Sequence, residues 1–495
     1  MPILSSISTL PGAVETPAYT PDNHGIGIVH LGLGAFHRAH QAFYTDCALA
    51  ASGGDWKILG VSLRSTAIPE AVNAQNGLYT VITRDANENQ VRVIASIDHA
   101  ICAKQAPSTL LQEMASPGVR IVSLTVTENG YGIHREHGGV DLDNPQVQHD
   151  LNHPETPGGV LGFLVGALDI RRKAGLDAFT ILCCDNLPDN GTFVKNGVLD
   201  FATRVNPELA QWIEDTVAFP STMVDRITPA SSESTRSLSE KATGFIDELA
   251  IETEPFHQWV IEDHFSNGRP DWAAAGAIFT DNVAPFEEMK LRMLNGTHSM
   301  LAYAGFLSGQ RYVRDVMQNN TLSTLVSRHM QAAALTLSPI DGVDYDDYQA
   351  KLLARFSNPC IAHETRQIAS DGSQKLPQRI FEPALAVAQA ATEARIDTDT
   401  NLRAFALATG VWMHYCRGVN DDGVAHVIND PIAHVLQTAA LMNTVDEAIA
   451  AFNAIPGLVP PALQSKQQWI TQLSSVLSSL RKIGVKETLE REVLL

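Results

Sequence analysis

Residues 25–34 read "GIGIVHLGLG". Ile26, Ile28, Val29 and Leu31 stand in a short run without charge, which predicts a buried strand, and the run closes on glycines suited to a tight turn. The following "FHRAHQAFYTDCALAA" (36–51) has a helical period, and "DWKILGVSLRS" (55–65) supplies a second strand at the distance of one βαβ unit. Two more apolar β-like runs follow, "RIVSLTVTE" (120–128) and "FTILCCDN" (179–186). Strands alternating with helices predict a parallel α/β sheet.

From about residue 286 the pattern changes. "EEMKLRMLNGTHSMLAYAGFLSG", "DYDDYQAKLLARF", "IFEPALAVAQAATEA", "NLRAFALATGVWMHYCRG" and "IAHVLQTAALMNTVDEAIAAF" all carry helical periodicity, broken by Pro, Gly and Asn-Asp signals. The expected organisation is an α/β, Rossmann-type dinucleotide-binding domain over residues 1–285 and a mostly α-helical C-terminal domain over 286–495. "DNVAPFEE" (281–288) marks the boundary, with a helix starting at Pro285. No internal repeat is visible.

Composition narrows the class. A chain of 495 residues is too long for one ordinary core. Thirty-five basic residues against 55 acidic ones give a formal charge of −20, a field that disfavours nucleic acid and anionic membranes as partners. Any anionic ligand then needs a local basic pocket. The N-terminal "MPILSSISTL" lacks the positive segment of a secretory signal, and the apolar "GVLGFLVGALDI" is too short to span a bilayer. "RRKAG" (171–175) after it reads as a solvated helix end. Six scattered cysteines suit a reducing cytoplasm; the adjacent Cys183 and Cys184 would face opposite sides of a strand and pair poorly.

The glycine turn carries the first chemical signal. Gly32-Leu33-Gly34-Ala35-Phe36-His37 has the first two glycines of a dinucleotide fingerprint, with His37 at the third position. Glycine serves where the chain turns tightly and where backbone approaches a pyrophosphate, and the helix N-terminus then offers N–H groups. The acid that usually binds the ribose at the end of the second strand is missing; Arg64, Ser65 and Thr66 stand there. NAD is the expected cofactor with NADP open, because without that carboxylate NAD is not strongly preferred and Arg64 is available to a 2′-phosphate.

The second signal is "KLRMLNGTH" (290–298), an apolar stretch interrupted by Lys290, Asn295 and His298. On an α-helix the three fall at roughly 0°, 140° and 80°, one broad sector. Taken alone, that sector fits a surface face better than the lining of a polar site.

Together, "GIVHLGLGAFHRAHQAFYTD", "IVSLTVTENGY", "CCDNLPDNG", "FPSTMVDRITP", "EPFHQWVIEDHFSNGRPDW" and "KLRMLNGTH" resemble the mannitol dehydrogenase family, polyol-specific long-chain dehydrogenases that include fructuronate (mannonate) and altronate oxidoreductases. The resemblance covers almost the whole chain, and the family's own glycine turn is followed by Phe-His-Arg. It implies a nicotinamide-binding α/β domain, a helical C-terminal domain and no metal. It also implies that Lys290 is the general base, that Asn295 and Asn186 hold the reacting oxygen, and that His298 binds a neighbouring hydroxyl. Glu287 matches the acid that relays the base's proton to water, and Asp225 and Lys375 resemble further substrate contacts. The chemistry is consistent. Oxidising a secondary alcohol requires the hydroxyl proton to leave as the carbonyl forms, and a lysine serves only if its pKa, about 10.4 in water, is lowered. Two amides near the oxygen would stabilise developing alkoxide character without a formal charge.

Substrate choice is less settled. The mannitol enzymes resemble one another in an arginine eight residues before the Lys375 equivalent; here that position is Gln367, with Arg366 beside it. "DGSQKLPQR" (371–379) and "KLRMLNGTHSMLAY" lie closer to the fructuronate reductases, whereas "GVSLRS" (60–65) leans toward the mannitol side. A sugar acid would favour an arginine for its carboxylate, and Arg366 and Arg379 are both available. The expectation leans slightly to mannitol 2-dehydrogenase chemistry, D-mannitol to D-fructose, with D-fructuronate reductase as the alternative. The small-molecule partner is thus a polyol or ketose, or a sugar acid, and the family implies a monomer or homodimer.

Three rival readings carry less. "HREH" (134–137) with His149 and His153 suggests a metal hydrolase, but its Gly, Asp and Asn content reads as a solvated loop. Cys183 or Cys184 as a nucleophile has no partner histidine. A non-catalytic dinucleotide sensor would need the glycine turn but not the lysine, amide and histidine together. Tyr131 in "ENGYGI" reads as structural.

Overall fold

The computed structural model describes the chain apart from residues 87, 127–129, 135–137 and 391–397, and it divides into two compact units, Met1–Ala284 and Pro285–Leu495. Eleven strands are described in the first unit: β1 (Ile26–Leu31), β2 (Lys57–Ser62), β3 (Tyr79–Arg84), β4 (Asn89–Ile94), β5 (Ile97–Cys102), β6 (Ile121–Leu124), β7 (Thr180–Cys183), β8 (Thr222–Asp225), β9 (Ile251–Thr253), β10 (Gln258–Glu262) and β11 (Ile278–Thr280). Five of them form an all-parallel sheet in the order β5-β2-β1-β6-β7. The chain thus builds outward from β1 to β2 and β5, then crosses to β6 and β7 on the other side. That order reversal places a switch point between β1 and β6, where open α/β sheets bind ligands beyond the strands' carboxyl ends.

Alternation along each strand feeds two cores, one per face of the sheet. Val29, Leu31, Leu59, Val122, Ile181 and Cys183 pack with the helices Pro107–Ala115, Val160–Lys173, Asn190–Val205 and Pro207–Thr216. Ile28, Ile58, Ile121, Leu182 and Cys184 face the opposite core, with Tyr44, Val81 and Trp259. Cys183 and Cys184 therefore point to opposite faces, as a strand requires. The run "GVLGFLVGALDI" is part of the buried helix Val160–Lys173, and no described helix is long and apolar enough to cross a membrane. Two smaller sheets, β11-β10-β8 and β4-β3-β9, complete the unit.

Two expectations are corrected here. The helix over 36–51 is two pieces, Ala35–Ala39 and Gln41–Ser52, broken at His40 (φ −118°, ψ −93°). The buried His40 ring packs on Phe36 and Trp259 and shares a hydrogen bond with the Gln258 carbonyl at 3.1 Å, contacts that outweigh the local helical period. Nor is "RRKAG" wholly solvated. Arg171 is buried and donates to the carbonyls of Ser116, Val119 and Asp177, which satisfy its fork, while Arg172 and Lys173 pair with Asp169.

The second unit is helical. Its axis is the buried helix Thr297–Leu307, packed by Asn320–Ala334 and Thr398–Tyr415, and the long Gln467–Leu494 covers the latter, bending at Gly484 (φ 82°). Local signals set the ends. Asn319 and Asp344 cap the following helices with side-chain oxygens, and Thr444 with Glu447 closes a capping box.

Candidate active site

In the first unit, Gly32 follows β1 at the switch point with φ +101°, a conformation that favours glycine. A β-carbon there would stand 2.1 Å from the Thr125 carbonyl oxygen just beyond β6, so the turn also excludes any side chain. At Gly34 the nearest atom to such a carbon would be 3.7 Å away, leaving one side of the turn open. The short helix Ala35–Ala39 begins there, and the first N–H groups of a helix lack intrahelical acceptors. These features fit the pyrophosphate of a dinucleotide. His37, at the third fingerprint position, is buried and stacked on His30 of β1 at 3.4 Å, so an imidazole pair fills the helix–strand contact that a glycine would tighten. Beyond β2, Arg64 and Ser65 are exposed.

Asn186 and Asp225 end two neighbouring segments of the same unit. Asn186 is exposed just after β7, and Asp225 is buried as the last residue of β8. The residue that fixes these segments, Asn190, was not singled out by the sequence. Its buried side chain donates to the Asp185 carbonyl (3.0 Å) and the Thr222 carbonyl (2.9 Å), and accepts from the Thr222 N–H (2.9 Å). Asp185 in turn accepts from the Val126 N–H (2.8 Å) and from the Tyr131 hydroxyl (2.6 Å), giving Tyr131 its structural role. The repeated Asp-Asn of "CCDNLPDN" was the available signal, since side-chain amides favour such turns.

In the second unit, "KLRMLNG" is not an α-helix. Lys290–Gly296 forms a π-helical turn between the α-helices Ala284–Met289 and Thr297–Leu307. A turn closed between residues five apart brings positions 290 and 295 toward the same direction, rather than the roughly 140° expected of an α-helix. A second π turn, Pro377–Phe381, packs against the first. Lys290 is 8 % exposed, Asn295 is partly exposed, and Glu287 lies one turn before Lys290. The Asn295 carbonyl accepts from the Ser299 hydroxyl at 3.2 Å.

His298 is buried against Phe356 (4.5 Å between rings) and edge-on to His363 (5.3 Å), with Nε2 lacking a hydrogen-bond partner among the described residues. Burial first, then His363, Arg355 and Arg379, holds its pKa well below the usual histidine range. It is a neutral ring with one unused polar atom, able to bond a hydroxyl.

The "DGSQK" segment is built to present Lys375. Asp371 takes a left-handed conformation (φ 56°), and a β-carbon on Gly372 would lie 2.5 Å from both Tyr303 Oη and Trp412 Nε1. Asp430 accepts from the Ser373 N–H (2.8 Å) and hydroxyl (2.6 Å). Lys375 Nζ donates to the Ser370 carbonyl at 2.8 Å and lies 3.7 Å from Asp371, with burial and then Arg379 lowering its pKa. By contrast, Arg366 and Gln367 are exposed on the helix Thr365–Ile368, Arg366 lying toward Tyr415 and His426.

Of the rival metal set, residues 135–137 lie outside the described residues. His149 stacks on His153 at 4.6 Å, and no group of three His, Cys, Asp or Glu among the described residues could hold a metal. Cys183 and Cys184 are buried, and burial pushes the Cys183 thiol up to about 12.

The chain resembles known proteins over nearly its whole length. The chain matches the mannitol dehydrogenase Rossmann domain over residues 26–274 and the mannitol dehydrogenase C-terminal domain over residues 282–463. It is 40 % identical to the D-mannonate oxidoreductase of Escherichia coli (strain K12) over 485 residues, 97 % of this chain and 98 % of the relative. The Pseudomonas fluorescens mannitol 2-dehydrogenase, solved as a ternary complex with NAD and D-mannitol, is 38 % identical with a TM-score of 0.81, covering 99 % of both chains. A D-sorbitol dehydrogenase solved in substrate-free form is 32 % identical with a TM-score of 0.90, covering 99 % of this chain and 100 % of that one. Both halves of the chain, its Rossmann-type sheet and its helical unit, belong to the mannitol dehydrogenase family of oxidoreductases.

Proposed function

We propose that the chain is an NAD-dependent secondary-alcohol dehydrogenase that interconverts a sugar polyol or sugar acid with its keto form, using Lys290 as general base. The observation that carries this reading is the π turn Lys290–Gly296, which brings a buried lysine and an amide into near register, followed one turn later by a neutral histidine.

Gly32, Gly34, Ala35 and Phe36 would hold the dinucleotide's pyrophosphate, and Arg64 would lie at the ribose end. A bound nicotinamide supplies the hydride acceptor. Lys290 takes the hydroxyl proton from the carbinol as its C–H electron pair departs, and Glu287 passes that proton on toward water. The amide of Asn295, with that of Asn186, donates to the oxygen as it becomes a carbonyl. His298 Nε2 bonds an adjacent hydroxyl, and Asp225 and Lys375 hold the rest of the substrate. The step needs no Lewis acid. The cytoplasm, and a monomer or homodimer, complete the reading.

Sequence resemblance leans to mannitol 2-dehydrogenase chemistry, D-mannitol to D-fructose. A second reading, D-mannonate to D-fructuronate, is favoured by one observation, the setting of Arg379 described below. The test is spectrophotometric. NADH and NADPH are followed at neutral pH against fructose and fructuronate, and mannitol and mannonate are run in reverse at higher pH. Reduction of at least one keto sugar is expected. Normal cofactor binding without turnover across the panel would instead support a sensor.

A further inference from the structure

Arginines in this protein are, as a rule, answered. Arg84, Arg92, Arg269, Arg292 and Arg403 each meet a carboxylate, at 2.9, 2.7, 2.7, 2.5 and 2.5 Å. The more buried Arg38, Arg171 and Arg226 donate to backbone carbonyls instead. Such pairing is expected, because a desolvated guanidinium carries five donors and a full charge.

Arg379 departs from the rule. Its one hydrogen bond among the described residues is from Nη1 to the Ser299 hydroxyl, at a long 3.4 Å, and no described carboxylate lies within 4.0 Å. Yet it is largely desolvated, and burial moves its pKa down to about 10, which leaves it a cation at neutral pH. Its surroundings add no compensating charge. Tyr303 is the polar group that acts on it most, and its own field helps to lower both His298 and Lys375. Asp371 and Asp430 are spoken for by Lys375 and by Ser373.

The backbone explains why the cation stays there. Arg379 sits within the second π turn, Pro377–Phe381, which packs on the turn carrying Lys290 and Asn295. Its partner Ser299 follows His298 directly and bonds back to Asn295. The guanidinium is thereby fixed to the same backbone that holds the proposed base, amide and imidazole, and enough of it stays exposed to be reached.

We propose that Arg379 is a specificity-determining residue that binds the carboxylate of a sugar-acid substrate, so that the preferred substrate is an aldonate and its keto-acid product rather than a neutral polyol. This rests on the dehydrogenase reading above and deepens it. A planar fork with several unused N–H groups matches a carboxylate, whereas a neutral hydroxymethyl end would leave the charge unanswered.

The test compares D-mannonate with D-mannitol, and D-fructuronate with D-fructose, in the wild type, Arg379→Gln and Arg379→Lys, with NAD(H) saturating. The wild type is expected to favour the acid in kcat/KM by about 100-fold or more. Arg379→Gln should lose about that factor on the acid, mostly through KM, and much less on the neutral sugar, so that the acid-to-neutral ratio of kcat/KM collapses. Arg379→Lys should recover part of the loss, and added salt should raise KM for the acid alone. Should Arg379→Gln fail to fold, the wild-type preference still decides. A wild type that favours the polyol, or an Arg379→Gln variant that loses both substrates equally, overturns the proposal while leaving the dehydrogenase reading intact. A wild type that turns over neither pair, yet binds NAD, overturns both.

Discussion

The carbonyl oxygen of Arg379 lies 2.7 Å from the point a β-carbon on Gly296 would occupy. Two π turns touch at this place with no room for a methyl group, and the atom in the way is backbone. Gly296→Ala must therefore push the turns apart. A loss of about 1–3 kcal/mol in stability is expected, together with lower kcat because Asn295 and His298 move. Chemical denaturation and steady-state assays on one preparation would check both, and an unchanged kcat would detach this contact from catalysis.

Lys290→Ala should lower kcat by about 10²–10⁴-fold, the usual worth of a positioned acid–base group, with NAD affinity by fluorescence titration unchanged. Treatment with a chelator should leave the wild-type rate where it was. Retained turnover in Lys290→Ala would move the base elsewhere.

Asn190→Ala would strip partners from the Thr222 N–H and from two carbonyls at once. Leaving buried backbone groups unanswered predicts a destabilisation of about 2–4 kcal/mol. Substrate KM should also rise, because the segments that carry the proposed substrate groups Asn186 and Asp225 lose their tie. A drop confined to stability would make Asn190 purely structural.

Buried histidines predict the acid response. Burial holds His30 and His40 down to about 3 and His329 to about 4, whereas an unfolded histidine titrates near pH 6.5. Below that value the unfolded chain takes up protons that the folded chain refuses, so stability is full above about pH 6.5 and falls as pH drops through it. Each such histidine contributes a slope of up to about 1.4 kcal/mol per pH unit. Melting temperature should fall steadily from pH 6.5 toward pH 4, and His329→Leu should flatten that fall. A flat profile would mean that the unfolded state shields these rings.

Cys183 and Cys184 should resist iodoacetamide at neutral pH. Burial raises both thiols, and Cys183 has the Tyr131 hydroxyl as neighbour at 3.1 Å rather than a histidine. Mass spectrometry of the native protein should find them unmodified and activity intact. Inactivation matched to labelling of either one would reopen covalent catalysis.

Much of the architecture could be read from residue pattern because it depends on hydrophobic alternation. The uncharged run at 25–34 marks a strand covered on both faces, the glycines that end it mark a turn, and the opposed Cys183 and Cys184 follow from period two. What escaped reading depends on long-range packing. A π turn has no apolar signature distinct from an α-helix over seven residues, so the α-helical angle expected between Lys290 and Asn295 does not hold. The break at His40 is set by Gln258 and Trp259, more than 200 positions later. Arg366 and Arg379 look equivalent in sequence, and only the fold sets one on a surface helix and the other beside Ser299. Asn190 was hidden by its own neighbourhood of turn-forming residues.

The widened turn at 290–296 also shows how this chain can vary in length. It holds one residue more than an ordinary helical turn, and deleting that residue would return the segment to α winding with the downstream helix nearly in place. Grafting the lysine, asparagine and histidine at the same spacing onto a regular helix would copy the letters while losing their alignment.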